Sequence, residues 1–346
     1  MTSTAGKVLV LGRDTRAFLS VVRSLGRRGL QVHVAWCEPG SAAACSRYVH
    51  ALHPLPPPSL QDLAWRDGLL ETLDRERFDF VIPCNDPSLI PLQLRRQDFA
   101  AFASSVYLLD DAVFRVVFDK LESYELARSL GIPVARRARL RRLDDLPAAL
   151  ASFPLPVVIK PRASFTPDRL ERKHDVRWAR SPLEAERHVR DLLPCGDVAV
   201  EAAVPGRGVG VEVLARDGEI LVAFQHVRLH EPPAGGGSSY RCSTALDPDL
   251  LAATAAFLGA LRYTGVAMVE FKADPETGTW VFIEVNARFW GSLPLALAAG
   301  VDFPFYLYRM WVHGERRFPT GYRAGVRCRN LMKDLAWVRK TWLAGG

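Results

Sequence analysis

Residues 279–286, TWVFIEVN, run on into ARFWGS and set Glu284, Asn286 and Arg288 at every second position. Side chains two apart in a strand share a face, so a carboxylate, an amide and a guanidinium stand in a row while Ile283 and Val285 turn the other way. A core strand cannot bury such a row without partners. The preceding VAMVEFK (266–272) joins it through Asp-Pro-Glu-Thr-Gly, which reads as a hairpin. With the turn centred near Thr277, Glu270 lies across from Glu284 and shares its face with Asn286. Opposed carboxylates repel unless a cation sits between them. Two carboxylates and an amide oxygen form a hard ligand set for Mg2+ or Mn2+, completed by water and phosphate oxygens. No His or Cys falls on this face, which disfavours Zn2+. The plainer alternative pairs one glutamate with Arg288 or Lys272 and leaves the other exposed.

The surroundings narrow the class. At 346 residues, 49% hydrophobic and 24% charged, the chain matches a soluble globular protein with room for two or three domains. Its six cysteines show no CxxC or metal-type spacing, which points to reduced thiols and a cytoplasmic location. The start, MTSTAGKVLVLG, lacks the apolar segment and cleavage site of a signal peptide, and no apolar stretch approaches the roughly 18 residues of a spanning helix. The net charge of +7 gathers from Glu315 onward, where eight Lys or Arg face two acids. A nucleic-acid protein would spread such charge over a binding face, so no nucleic-acid partner is expected.

Strand-like runs at 7–11, 31–36 and 77–84, with a helical stretch at 17–29, predict a parallel α/β layer over about the first 110 residues. The turn GRDTRAF lacks the second and third glycines of a dinucleotide fingerprint, which argues against NAD. Ligands gather at the carboxyl ends of such strands, so Arg13, Asp14 and Asp86 are candidate pocket residues; alternatively Asp86 only caps its turn. Farther on, VVIKP delivers Lys160 to a strand end, and Lys120 opens a helix. A hairpin over 209–230 turns at Arg216-Asp217-Gly218-Glu219. Its His226, Arg228 and His230 alternate on one face, read as exposed or as cleft-facing rather than as a zinc site. PPAGGGSSYRCS (232–243) reads as a flexible loop, its glycines a phosphate cradle or plain solvent loop.

Together these pieces resemble the ATP-grasp superfamily, in the branch near the carbamoyl-phosphate synthase large subunit and biotin carboxylase. The carriers are Asp119-Lys120, VVIKP with Lys160, VEAAVPG, MVEFK and EVNARFWGS, in the family's order, over about residues 5–310. The resemblance implies a mixed α/β and α+β architecture. A pre-ATP-grasp α/β domain (1–110) would precede an ATP-grasp domain (111–310) with a lid at about 125–200 and an antiparallel-sheet subdomain; 311–346 is left as a basic C-terminal extension. By resemblance, Lys120 and Lys160 contact the ATP phosphates and adenine, Glu201 takes the adenine amino group, and Ala203 and Val204 read the ring edge. Glu270 and Glu284, with Asn286 beside them, hold the metal, and Arg288 faces the substrate. PAGGGSSYRCS and FWGSLPLALAAGVDFP further resemble predicted carboxylate ligases of this fold, which adds Arg241 as a candidate substrate residue.

Two departures stand out. The loop after Lys160, PRASFTPDRL, lacks the glycines that usually fold over the phosphates, with Ser164 and Thr166 as substitutes. The usual ribose acid aligns with Gly208, leaving Glu212 as the first replacement. The activity implied is ligation: a carboxylate is phosphorylated by ATP, and an amine displaces the phosphate. A carboxylase, a kinase-like enzyme and a nucleotide-binding regulatory module remain alternatives. Leu331, Leu335, Val338 and Trp342 fall on one arc of a predicted helix, with Lys333 and Lys340 opposite. That arc either packs on the ATP-grasp domain or dips into an anionic membrane, with Arg316, Arg317, Arg323, Arg327 and Arg329 on the headgroups.

Overall fold

The computed structural model describes residues 6–13, 15–231 and 237–344. Asp14 and the first glycines of the 232–243 stretch lie outside the described residues, as do the side chains of Lys340 and Trp342. Four short runs form a parallel sheet: β1 (Lys7–Leu11), β2 (Gln31–Ala35), β3 (Val49–His53) and β4 (Phe80–Pro83), in the order β3-β2-β1-β4. β1, β2 and β4 are apolar almost throughout, as strands covered on both faces must be. Val8, Val10 and Val34 pack into the main core, whereas Leu9, Leu11 and Ala35 face a second cluster around Trp65 and Phe99. β3, with its two histidines, carried no strand signal.

The lid is a four-stranded antiparallel sheet of β5 (Arg137–Leu140), β6 (Val157–Pro161), β7 (Arg177–Ala179) and β8 (Val198–Ala202), ordered β5-β8-β6-β7. It has its own core of Leu140, Val157, Ile159, Val189 and Val200. The third layer is a six-stranded sheet: β9 (Arg207–Arg216), β10 (Glu219–His230), β11 (Tyr240–Thr244), β12 (Gly265–Ala273), β13 (Trp280–Asn286) and β14 (Arg327–Arg329), ordered β13-β12-β9-β10-β11-β14. Asp217 and Gly218 both take positive φ, 54° and 88°, as a two-residue hairpin turn between β9 and β10 requires.

Two sequence expectations are corrected here. The 232–243 stretch is not loop throughout: from Tyr240 it is β11, paired with β10 on one side and β14 on the other. The segment after 311 supplies that edge strand and the helix Leu331–Ala344. The arc expected to pack that helix faces outward instead, with Leu331, Leu335 and Val338 exposed. The helix docks through polar contacts. Asp334 is buried, accepts from Ser239 at 2.7 Å, lies 2.6 Å from His230 Nδ1 and pairs with Arg329 at 3.1 Å. Trp337 stacks on His230 with ring centroids 3.8 Å apart and donates Nε1–H to the Glu231 carbonyl. Among the described residues no helix is long and apolar enough to cross a membrane.

Candidate active site

The register of β12 and β13 sets Glu270 directly against Glu284 and Met268 against Asn286. A bulge between Glu270 and Phe271 changes what surrounds them. It sends Phe282 and Val285 into the core and leaves Ile283 lining the cleft, where alternation alone had turned it inward. The same face continues across the sheet, with Gly210 opposite Glu270 and His226 opposite Gly210.

Each carboxylate has found a cation. Glu284 Oε2 accepts from Lys120 Nζ at 2.7 Å. Burial alone would raise its pKa, but Lys120 and then Lys160 hold it well below the usual carboxylate range. Glu270 pairs with Arg228 through Oε2 and accepts from Asn286 Nδ2 at 3.2 Å through Oε1. Neither pairing is the one considered from sequence: Arg288 pairs with Asp86, and Lys272, two residues along β12, has no ion pair among the described residues. Arg228 crosses the sheet only because Gly208 has no side chain: a Cβ there would stand 2.6 Å from Arg228 Cδ. Gly210 likewise leaves room for His226, whose Nδ1 stands 2.7 Å from Glu212 Oε1.

Lys160, 5% exposed, stands one residue before the end of β6 and meets Glu201 Oε2 at 2.7 Å. Arg137 grips Glu201 Oε1 and lies 3.7 Å over the Tyr124 ring. Burial opposes the charge on Glu201, but Lys160 and Arg137 outweigh it and lower its pKa. Both oxygens of Glu201 are thus engaged, so its carboxylate positions Lys160 as much as it faces the cleft.

Arg288 leaves β13 and clamps Asp86 with two bonds, Nε to Oδ1 at 2.9 Å and Nη2 to Oδ2 at 3.2 Å. That pair ties the end of the hairpin to the end of β4. The turn after β4 is capped by Asn85, not Asp86: its side chain accepts from Ser88 N in a capping box.

One cleft of about 560 Å³ joins Lys120, Lys160, Glu201, Val204, Arg241, Glu270, Glu284, Asn286 and Arg288, a volume suited to a small-molecule site. Asp86 lines a smaller cavity beside it, shared with Arg288. Ala203 is not on the cleft wall, whereas Ala202 and Val204 are. Arg13 is exposed and reaches the Glu171 carbonyl at 3.5 Å; Arg16, one turn on, lines the cleft in its place. Glu212 is fully buried against His226 and Ser292 and cannot reach a ribose, but Glu231 accepts from Gly208 N at 3.1 Å and lines the cleft. Arg16, Glu231 and Lys333 carried no sequence signal, since only tertiary pairing brings them here. For Arg228 the alternation of β10 was a signal, resolved by the structure toward the cleft. The oxygen set of Glu270, Glu284 and Asn286 fits a hard divalent cation, although no cluster of three His, Cys, Asp or Glu occurs among the described residues.

Comparison with known proteins falls on this same frame. A family described as "ATP-grasp in the biosynthetic pathway with Ter operon" matches residues 196–333, which carry the whole six-stranded sheet. This chain has an ATP-grasp fold. The crystal structure of an L-amino acid ligase from Bacillus licheniformis covers 91% of this chain and 78% of its own at 17% identity, TM-score 0.67. An N5-carboxyaminoimidazole synthetase from Staphylococcus aureus complexed with ADP covers 98% and 86% at 14% identity, TM-score 0.71. In sequence, a D-aspartate ligase from Enterococcus faecium (strain Aus0004) is 21% identical over 229 residues, which is 62% of this chain. The ATP-grasp chain spans 54% of that relative's length.

Proposed function

We propose that this ATP-grasp chain is an ATP-dependent ligase of the cytoplasm that joins a carboxylate to an amine, releasing ADP and phosphate. The observation that carries the reading is Glu270 facing Glu284 beneath Lys120 and Lys160 in one cleft. Mg2+ or Mn2+ held by Glu270, Glu284 and Asn286 would draw charge from the β- and γ-phosphates. Lys120 and Lys160 neutralise phosphate oxygens as the γ-phosphoryl group moves to the carboxylate. Glu201 fixes Lys160, and the backbone at Val204 reads the adenine edge. Arg288, oriented by Asp86, offers positive charge to the acyl group. The substrate carboxylate oxygen bonds to phosphorus as the bond to ADP breaks. The amine then attacks the acyl carbon, phosphate leaves, and the amine proton passes to solvent. Positioning and electrostatics suffice, and no protein nucleophile is needed. The names of the ligase relatives favour an amino acid as one reactant.

The test is ADP release from purified protein across a panel of carboxylates and amines. Release that needs both partners supports the ligase; release without either, or nucleotide binding with no turnover on any pair, overturns it.

A further inference from the structure

Most charges in the cleft are already matched: Lys120 with Glu284, Lys160 with Glu201, Arg228 with Glu270, and Arg288 with Asp86. Among the described residues four cations are not: Lys272, on β12, and three others that come together away from it. Arg241 is 92% buried on β11, where it is 8% exposed, and its Nε has no hydrogen-bond partner. Arg16 lies half-buried at the start of its helix, its Nη2 3.8 Å from where a Cβ on Gly291 would stand. Lys333 comes from the helix Leu331–Ala344 and lines the same cleft. Among the described residues none of the three side chains has an ion pair.

A buried guanidinium without a counter-charge is costly, and here the neighbours add to the cost. Burial, then Arg228 and Arg16, push the Arg241 pKa down to about 10. Burial, Arg16 and Arg241 likewise lower that of Lys333. Such a cluster persists where an anion completes it. By strand position the cluster stands away from the hairpin proposed to face the nucleotide phosphates. Arg241 sits on β11, three strands from β12 and Glu270, about 14 Å at ordinary strand spacing.

We propose that the activated carboxylate belongs to a substrate bearing a second anionic group, a carboxylate or a phosphate, received by Arg16, Arg241 and Lys333. The helix Leu331–Ala344 is then part of the substrate site, anchored by Asp334 and Trp337 so that Lys333 faces inward. This inference rests on the ligase reading for the reacting carboxylate, but not for the binding of the anion itself.

The experiment is calorimetric titration of the full chain with acetate, succinate and inorganic phosphate, each with and without MgADP. Succinate or phosphate should bind at least ten-fold more tightly than acetate, and whichever of the two binds better identifies the second group. Lys333→Gln and Arg241→Met should each weaken that binding about ten-fold, with MgADP affinity unchanged. Lys333 is solvent-accessible on the cleft wall, so its variant keeps the fold. Equal binding of acetate and the dianions, or no effect of Lys333→Gln, overturns the proposal. A chain that binds the dianion but not MgADP instead counts against the nucleotide reading and leaves the anion site standing.

Discussion

In the proposed reaction Glu284 would couple stability to catalysis. Read from sequence, removing a carboxylate from an opposed pair relieves repulsion. In the structure Lys120 and Arg228 already neutralise that repulsion, so the change carries a cost. Glu284→Gln should lower ATP turnover at least a hundred-fold, on the order of 3 kcal/mol of transition-state stabilisation. It should also lower the melting temperature by a few degrees, because Lys120 keeps only a neutral acceptor. Steady-state kinetics and thermal unfolding on the same preparation check both. At Gly208, where the resemblance puts an acid for the ribose, the Glu231 carboxylate accepts from the backbone amide, and we propose it as the substitute. Glu231→Ala should weaken ATP binding by about 1–2 kcal/mol, the loss of a charge-assisted hydrogen bond, and bring ATP and dATP affinities together. Calorimetry with both nucleotides would show this; an unchanged ratio would remove Glu231 from the ribose.

Among elements, the β2–β3 pair holds a titrating unit that catalysis does not use. His33 Nδ1 and His53 Nε2 are 2.8 Å apart, and burial followed by the charge of His53 lowers the His33 pKa to about 4. The unfolded chain takes up a proton near 6.5 and the folded one only near 4, so stability is full above pH 6.5 and is lost as pH falls toward 4. The loss is on the order of 2–3 kcal/mol. His33→Gln should flatten that part of the melting-temperature profile relative to wild type. The β12–β13 hairpin was legible in the sequence because polar residues at every second position fix the register, and register is what opposes Glu270 to Glu284. The bulge at Ile283 was not, since an inserted residue leaves the same composition behind. Nor was β11: its five residues follow a glycine-rich run and gain strand identity by pairing with β10 and with β14, more than 80 residues later. The helix Leu331–Ala344 misled for a different reason. Its apolar arc pointed to one docking face, whereas a buried aspartate and a tryptophan stacked on histidine chose another.

At the level of the whole molecule, the lid and the six-stranded sheet have separate cores and meet at the cleft, so a ligand that touches both stabilises the pair as a unit. Saturating MgADP, at about 100 times its Kd, should add roughly 2.7 kcal/mol of stability, seen as a rise of a few degrees in melting temperature. Chelation of the metal with EDTA should remove most of that rise, because Lys120 and Lys160 alone then face the phosphates; an EDTA-insensitive shift would argue against Glu270 and Glu284 as metal ligands. The parallel layer is not a detachable neighbour. Asp86 reaches Arg288, Trp311 donates to the Ser104 carbonyl, and Val266 N donates to the Tyr107 hydroxyl. The cations proposed to receive the second anion come from positions 16, 241 and 333, while the hairpin proposed to face the phosphates is one continuous stretch. Heredity can therefore treat the two separately. Descendants of one ancestral chain could keep residues 265–288 unaltered and come to join different compounds through changes at three points remote from one another in the gene.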